Sequence, residues 1–172
     1  MEFVFQTSYD SKALAVMCKA LRKTTRKKKS RRSHILGWIM IALVVLLSLP
    51  RDGGYIIDAR RIITWLAALA ILIVFLFEDR LNALLAKKRM LPGLLTSTVT
   101  FSPDGYHSET ELGSSDFSYG NIKDIAETER YFIFLFGQNH AQIYDKQGMV
   151  TGDPLDFARF ISQCTGIKIK NL

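Results

Sequence analysis

Ile35-Leu36-Gly37-Trp38-Ile39-Met40-Ile41-Ala42-Leu43-Val44-Val45-Leu46-Leu47-Ser48-Leu49 and Ile62-Ile63-Thr64-Trp65-Leu66-Ala67-Ala68-Leu69-Ala70-Ile71-Leu72-Ile73-Val74-Phe75-Leu76-Phe77 decide the fold. Neither stretch contains a charge. Each is apolar on every side of a helix, whereas a surface helix of a soluble fold keeps a polar stripe. The runs are 15 and 16 residues long, against the roughly 17–25 that a bilayer span needs. Their flanks supply the difference. Arg32, Arg51, Arg61 and Arg80 can extend charged heads to the interface, and Trp38 and Trp65 stand where aromatic rings meet headgroups. A helical hairpin buried in a soluble core is the alternative. It would need several covering elements, and the roughly 80 residues after position 91 must already enclose a core of their own. The two runs therefore predict a transmembrane hairpin, with spans at about 34–50 and 61–78. The first run starts too far into the chain, and without a small-x-small cleavage site, to read as a signal peptide.

Charge fixes the expected orientation. The net charge is +7, but it is concentrated. Between Ser11 and Pro50 stand ten basic residues and no acid, so the other positions together carry a net −3. Nine of the ten lie in residues 19–32, among them Lys27, Lys28, Lys29, Arg31 and Arg32. Residues 78–91 carry four basic groups and the connecting loop, Pro50 to Arg61, carries three. The excess of Lys and Arg beside the spans predicts both termini in the cytoplasm. The loop, with the turn signal Asp52-Gly53-Gly54, is expected on the far side.

Before the basic run, Glu2 to Gln6 reads as a short strand with Phe3 and Phe5 on one face. A helix to about Thr24 follows, capped by Ser8 or Asp10, with Ala13, Leu14, Met17, Cys18 and Leu21 spaced three and four apart. Two readings stand. The apolar stripe packs on the C-terminal domain, or it lies on anionic lipid together with Lys27, Lys28, Lys29, Arg31 and Arg32. The first is preferred. Nucleic acid is set aside, because no aromatic residue interleaves the basic run and the run abuts a span.

After the second span, Glu78 to Met90 is expected to continue as a helix, ended by Pro92-Gly93. Short alternating segments follow: Thr96–Phe101, Tyr106–Glu111, Ser114–Tyr119, Ile122–Glu127, Tyr131–Phe136 and Ala141–Tyr144. Turn residues separate them, notably Pro103-Asp104-Gly105, Gly120-Asn121 and Gly137-Gln138-Asn139. Asp153 caps a final helix with Leu155, Phe157, Phe160 and Ile161 on its buried side, and Gly166 ends it. The expected class is an α+β membrane protein: a transmembrane hairpin plus an antiparallel barrel or curved sheet, pleckstrin-homology-like, plugged by the last helix. The N-terminal strand can join that sheet. The expected parts are 1–33 (strand, helix, basic run), 34–78 (hairpin), 79–92 (connecting helix) and 93–172 (β domain).

Phe101-x-x-Asp104-Gly105, Ser118-Tyr119-x-x-Ile122, Glu127-Thr128-x-x-Tyr131-Phe132 and Phe157-x-x-Phe160, together with the order of parts, resemble the YcxB-like membrane proteins. Tyr119 stands where that family usually has Trp. The resemblance implies no common activity, but it brings a likeness to immunity proteins encoded beside bacterial toxins.

The residues point away from catalysis. His34, His107 and His140 are scattered without metal-ligand spacing. Phosphate-loop, nucleophile-elbow and dinucleotide signatures are missing. Cys18 and Cys164, 146 positions apart, read as reduced thiols. No cofactor, metal or small-molecule substrate is expected. Glu109, Glu111, Asp124, Glu127 and Glu129 read either as a solvated face or as an acidic surface for a basic partner, with Tyr131 as an aromatic anchor. Three roles fit these features. The preferred one is an immunity protein at the bacterial inner membrane that neutralises a cognate, membrane-acting toxin. The others are a lipid- or regulator-binding adaptor, and a subunit of a larger membrane complex packed through Gly37 and Ala67-Ala68-x-Ala70.

Overall fold

The computed structural model describes residues 2–48 and 59–172. The expected Asp52-Gly53-Gly54 turn lies outside the described residues. The chain is α+β: nine strands in two sheets, with five α-helices, among the described residues.

The first strand, β1 (Phe3–Ser8), alternates buried and outward residues, with Phe3, Phe5 and Thr7 turned in. It sits inside the first sheet. It pairs antiparallel with β2 (Thr96–Ser102) from Phe3↔Phe101 to Ser8↔Thr96, and on its other side with β8 (Met149–Thr151). Strands β3 (Gly105–Thr110) and β4 (Gly113–Phe117) extend the sheet, giving the order β4-β3-β2-β1-β8. The N-terminal arm is thus a structural member of the same fold as the last 80 or so residues.

The second sheet has the order β7-β6-β5-β9. Strands β5 (Asp124–Glu127), β6 (Tyr131–Leu135) and β7 (Ala141–Asp145) are antiparallel neighbours, and β9 (Lys170–Asn171) adds parallel to β5. All five residues of β6, Tyr-Phe-Ile-Phe-Leu, are buried. A strand with no polar alternation is one covered on both faces, and this one is. Phe132 and Phe134 turn toward the first sheet, into a core with Phe3, Phe5, Phe101, Tyr106, Tyr144 and Phe157. Tyr131, Ile133 and Leu135 turn the other way, under Ala13, Ala20 and Leu21 of helix α1 (Ser11–Lys23).

This arrangement corrects the barrel expectation. The strands form two sheets and not a closed barrel. Helix α5 (Pro154–Thr165) plugs the space between them. Its Phe157 ring lies 4.7 Å from Phe5, 4.9 Å from Phe101 and 5.1 Å from Phe132, mostly edge-to-face, the arrangement that ring quadrupoles favour. Asp153 accepts a hydrogen bond from the Leu155 N–H, as its capping position predicts. Gly166 closes the helix at φ +68°, which a β-carbon disfavours. Leu155 is a second correction. It is 71 % exposed, because it occupies the first turn, on the side away from the sheets. Strands β8 and β9 are too short to have stood out in the sequence.

Helix α1 keeps the predicted stripe, and that stripe is covered by the second sheet and by helix α4 (Glu78–Arg89). The lipid-lying reading of α1 is therefore replaced by internal packing. The basic run is helical from its start: helix α2 spans Lys27–Leu47. Helix α3 spans Ala59–Leu76 and packs on α2. Gly37 makes this approach possible, since the Phe75 ring occupies the place a β-carbon at 37 would take. At Phe77 the chain bends by 75° into α4, so the expected continuation is a broken helix. By length and composition α2 can cross a membrane, and Ile62–Leu76 meets the same test only together with the bent Glu78–Arg89.

Candidate functional site

The densest set of charged contacts between helices lies at the corner where α1, α2, α3 and α4 meet. Residues scattered in sequence are brought together there. Arg22, near the end of α1, forks onto the Asp79 carboxylate, with Nε and Nη2 donating at 2.8 and 2.6 Å. A forked pair of this kind is among the stronger charge-assisted contacts. The Asp79 hydrogen bond is the main reason the Arg22 pKa is raised, against the opposing effect of burial. Glu78, one residue earlier, lies 3.9 Å from Arg22 Nε and 2.8 Å from His34 Nε2 of α2. The His34 ring stacks on Phe75 of α3, 5.0 Å between centroids. One carboxylate pair thus links α1, α2 and α4 at the bend below α3.

A second anchor ties the same corner to the second sheet. Arg26 Nε donates to the Gln138 carbonyl at 2.6 Å, and its Nη2 donates to Asn139 Oδ1 at 2.5 Å. Gln138 and Asn139 form the β6–β7 turn. Two clefts flank Arg26. One, of about 250 Å³, lies among Cys18, Arg22, Ser33, Glu78 and Asn82. Burial pushes the Cys18 thiol upward, and nearby Asp79 adds to the shift, which disfavours the nucleophilic thiolate. The other cleft, of about 610 Å³, is lined by Thr24, Thr25, Lys27, Lys28, Lys29, Arg32 and Gln138.

Lys27, Lys28, Lys29, Arg31 and Arg32, the predicted membrane-surface residues, are all exposed on the first two turns of α2. Lys27, Lys28, Lys29 and Arg32 share the larger cleft. The contacts with Asp79, Glu78, Gln138 and Asn139 carry no sequence signal. Arg22 and Asp79 are 57 positions apart, and Arg26 and Gln138 are 112.

The predicted acidic surface is dispersed. Glu109 and Glu111 belong to the β3–β4 hairpin of the first sheet and are exposed. Glu109 lies 3.5 Å from His107, whose other ring nitrogen meets Asp116 at 2.6 Å across the hairpin. That Asp116 contact is the chief reason the His107 pKa is raised. Asp124 and Glu127 are on the second sheet and are already paired, each at 2.5 Å, with Lys170 and Lys146. Glu129 is exposed in the β5–β6 turn. Tyr131 is a core residue, 5 % exposed beneath α1, with Arg130 over its ring. It is closed to a partner as an anchor, because β6 is covered on both faces.

Among the described residues no group of three or more His, Cys, Asp or Glu side chains is arranged to hold a metal ion. Both cysteines are free. No curated protein and no solved structure matches the chain. Residues 101–163, running from the end of β2 to near the end of α5, match the family model described as YcxB-like protein.

Proposed function

We propose that this chain is a membrane-anchored, non-enzymatic binding protein. In this reading α2 and α3 cross the bilayer as a hairpin, both termini are cytoplasmic, and the two-sheet fold rests on the inner face. One observation carries it: α2 and α3 leave a continuous apolar surface outside both cores. Leu36, Trp38, Leu46, Leu47, Ile63, Leu66 and Leu76 are each more than half exposed. Each such side chain gains about 1.5–3 kcal/mol on leaving water, so keeping this surface wet would cost tens of kcal/mol. Helix α4 supports the reading. Its 75° turn from α3 would lay it along the headgroup layer, and Leu81, Leu84 and Leu85, spaced three and four apart, are exposed on it. Lys87, Lys88 and Arg89 follow at headgroup depth.

Single cysteines placed at the loop and at either end, in a Cys18→Ser, Cys164→Ser background, test the topology with an impermeant thiol reagent on intact cells. Labelling at the loop alone supports the hairpin. Labelling of either terminus rules the orientation out.

For the binding role itself, neutralisation of a membrane-acting bacterial toxin is the specific proposal. It draws on the YcxB-like resemblance and on a small fold held at the membrane. Co-expression with the adjacent gene tests it. Rescue from a lethal product supports immunity, whereas a harmless product, or equal killing with and without this chain, removes it.

A further inference from the structure

We infer that the cleft lined by Lys27, Lys28, Lys29, Arg32 and Gln138 is a binding site for the phosphate of an anionic lipid headgroup; this rests on the membrane reading above. Three observations meet there. First, among the described residues, none of Lys27, Lys28, Lys29, Arg31 and Arg32 has a carboxylate partner. The neighbouring Arg22, by contrast, is fully engaged by Asp79, and Arg26 by the β6–β7 turn.

Second, these charges are placed at a cost. They occupy the first two turns of α2, the positive end of the helix dipole, with no acidic residue in the first turn. Lys27 and Arg31, and Lys28 and Arg32, are like charges four apart on one helix, a repulsive spacing. Among the described residues no carboxylate offsets this, and an external anion would.

Third, the cleft is held in shape and at a fixed depth. Arg26 pins the corner to Gln138 and Asn139. Thr24 and Thr25 turn their hydroxyls back to the Ala20 and Leu21 carbonyls, leaving the lysines as the free donors. The apolar part of α2 begins at Ile35, three residues beyond Arg32, so a phosphate in the cleft sits at the level of a headgroup whose acyl chains lie along α2. A topology signal needs only the charges. It needs neither a cleft nor a pinned corner.

The full-length chain in neutral detergent is titrated with phosphatidylglycerol, with phosphatidylcholine of the same chain length, and with inorganic phosphate, and bound species are read by native mass spectrometry. Phosphatidylglycerol is expected to bind at least tenfold more tightly than either of the others. Each basic group at an anionic surface is worth on the order of fivefold in affinity. Lys28→Gln with Arg32→Gln should therefore weaken phosphatidylglycerol about thirtyfold, while Arg159→Gln with Lys168→Gln, both exposed on the two-sheet fold, changes it less than about threefold. The first pair should not lower the melting temperature in lipid-free detergent, since it relieves repulsion. The charge-keeping pair, Lys28→Arg with Arg32→Lys, should bind as the parent does.

Equal losses from both neutralised pairs would replace the cleft with diffuse electrostatics and overturn the proposal. So would equal affinity for the two lipids, or inorganic phosphate binding as tightly as phosphatidylglycerol. Retention of the same preparation in reconstituted vesicles is scored separately. Loss of retention defeats the membrane reading, whereas retention without headgroup preference defeats only this site.

Discussion

The Arg22–Asp79 fork makes the most quantitative claim about how the two-sheet fold is held against the helical hairpin. Arg22→Ala removes two charge-assisted hydrogen bonds, of 2.8 and 2.6 Å, and leaves Asp79 facing Glu78 without a cation. The two side chains are 29 % and 20 % exposed. That places the pair between an exposed one, worth about 0.2–1 kcal/mol, and a buried one, whose breaking costs about 3–5 kcal/mol. Each single alanine variant is expected to lose about 2 kcal/mol, and the double variant about 3, which leaves a coupling energy of about 1 kcal/mol. Arg22→Lys keeps the charge but not the fork, and should recover less than half of the loss. The assay is reversible denaturation of the full chain in detergent, followed by circular dichroism, at low and high salt. A half-buried pair should keep most of its coupling at high salt. Additive single effects, with coupling under about 0.3 kcal/mol, would refute the claim that this contact clamps α1 to α4.

Three further outcomes follow from the packing and the titrating groups. Phe157→Ala should cost about 3–5 kcal/mol, because a fully buried ring contacting both sheets is lost; Leu155→Ala, at an exposed site, should cost under about 0.5 kcal/mol, and equal effects would mean that α5 is seated differently. Gly37→Leu should destabilise the hairpin by about 1–3 kcal/mol through collision with Phe75; an unchanged denaturation midpoint would separate α2 from α3. Tyr106, Tyr119 and Tyr144 have phenols raised chiefly by burial. Their neutral forms therefore contribute stability that is full below pH 10 and is lost as pH climbs through the raised values. An ultraviolet titration should show them ionising only as near-ultraviolet dichroism collapses, and ionisation near pH 10 in an intact fold would contradict their burial.

The sequence was most legible where periodicity matched surroundings. Phe3 and Phe5 alternated as a strand does, and β1 lies inside the first sheet. Ala13, Leu14 and Leu21 formed a stripe, and α1 buries it. Asp153 and Gly166 bracketed α5 by cap chemistry alone. What local pattern could not carry was the partner of each face. Tyr131 and Phe132 look alike in an unbroken apolar run, yet they point into different cores. Asp124 and Glu127 look like free acids until Lys170 and Lys146 arrive from later in the chain. The bend at Phe77 has no proline or glycine to announce it. It accompanies the anchoring of Glu78 and Asp79 by His34 and Arg22. The basic cleft was visible only as charge, since its shape depends on the distant β6–β7 turn.

Sedimentation of the full-length chain from lysed cells, before and after an alkaline carbonate wash, reports whether α2 and α3 lie in the bilayer. An inserted α2–α3 hairpin predicts that the protein stays in the membrane pellet through the wash and is released only by detergent. A folded protein in the supernatant without detergent would contradict it.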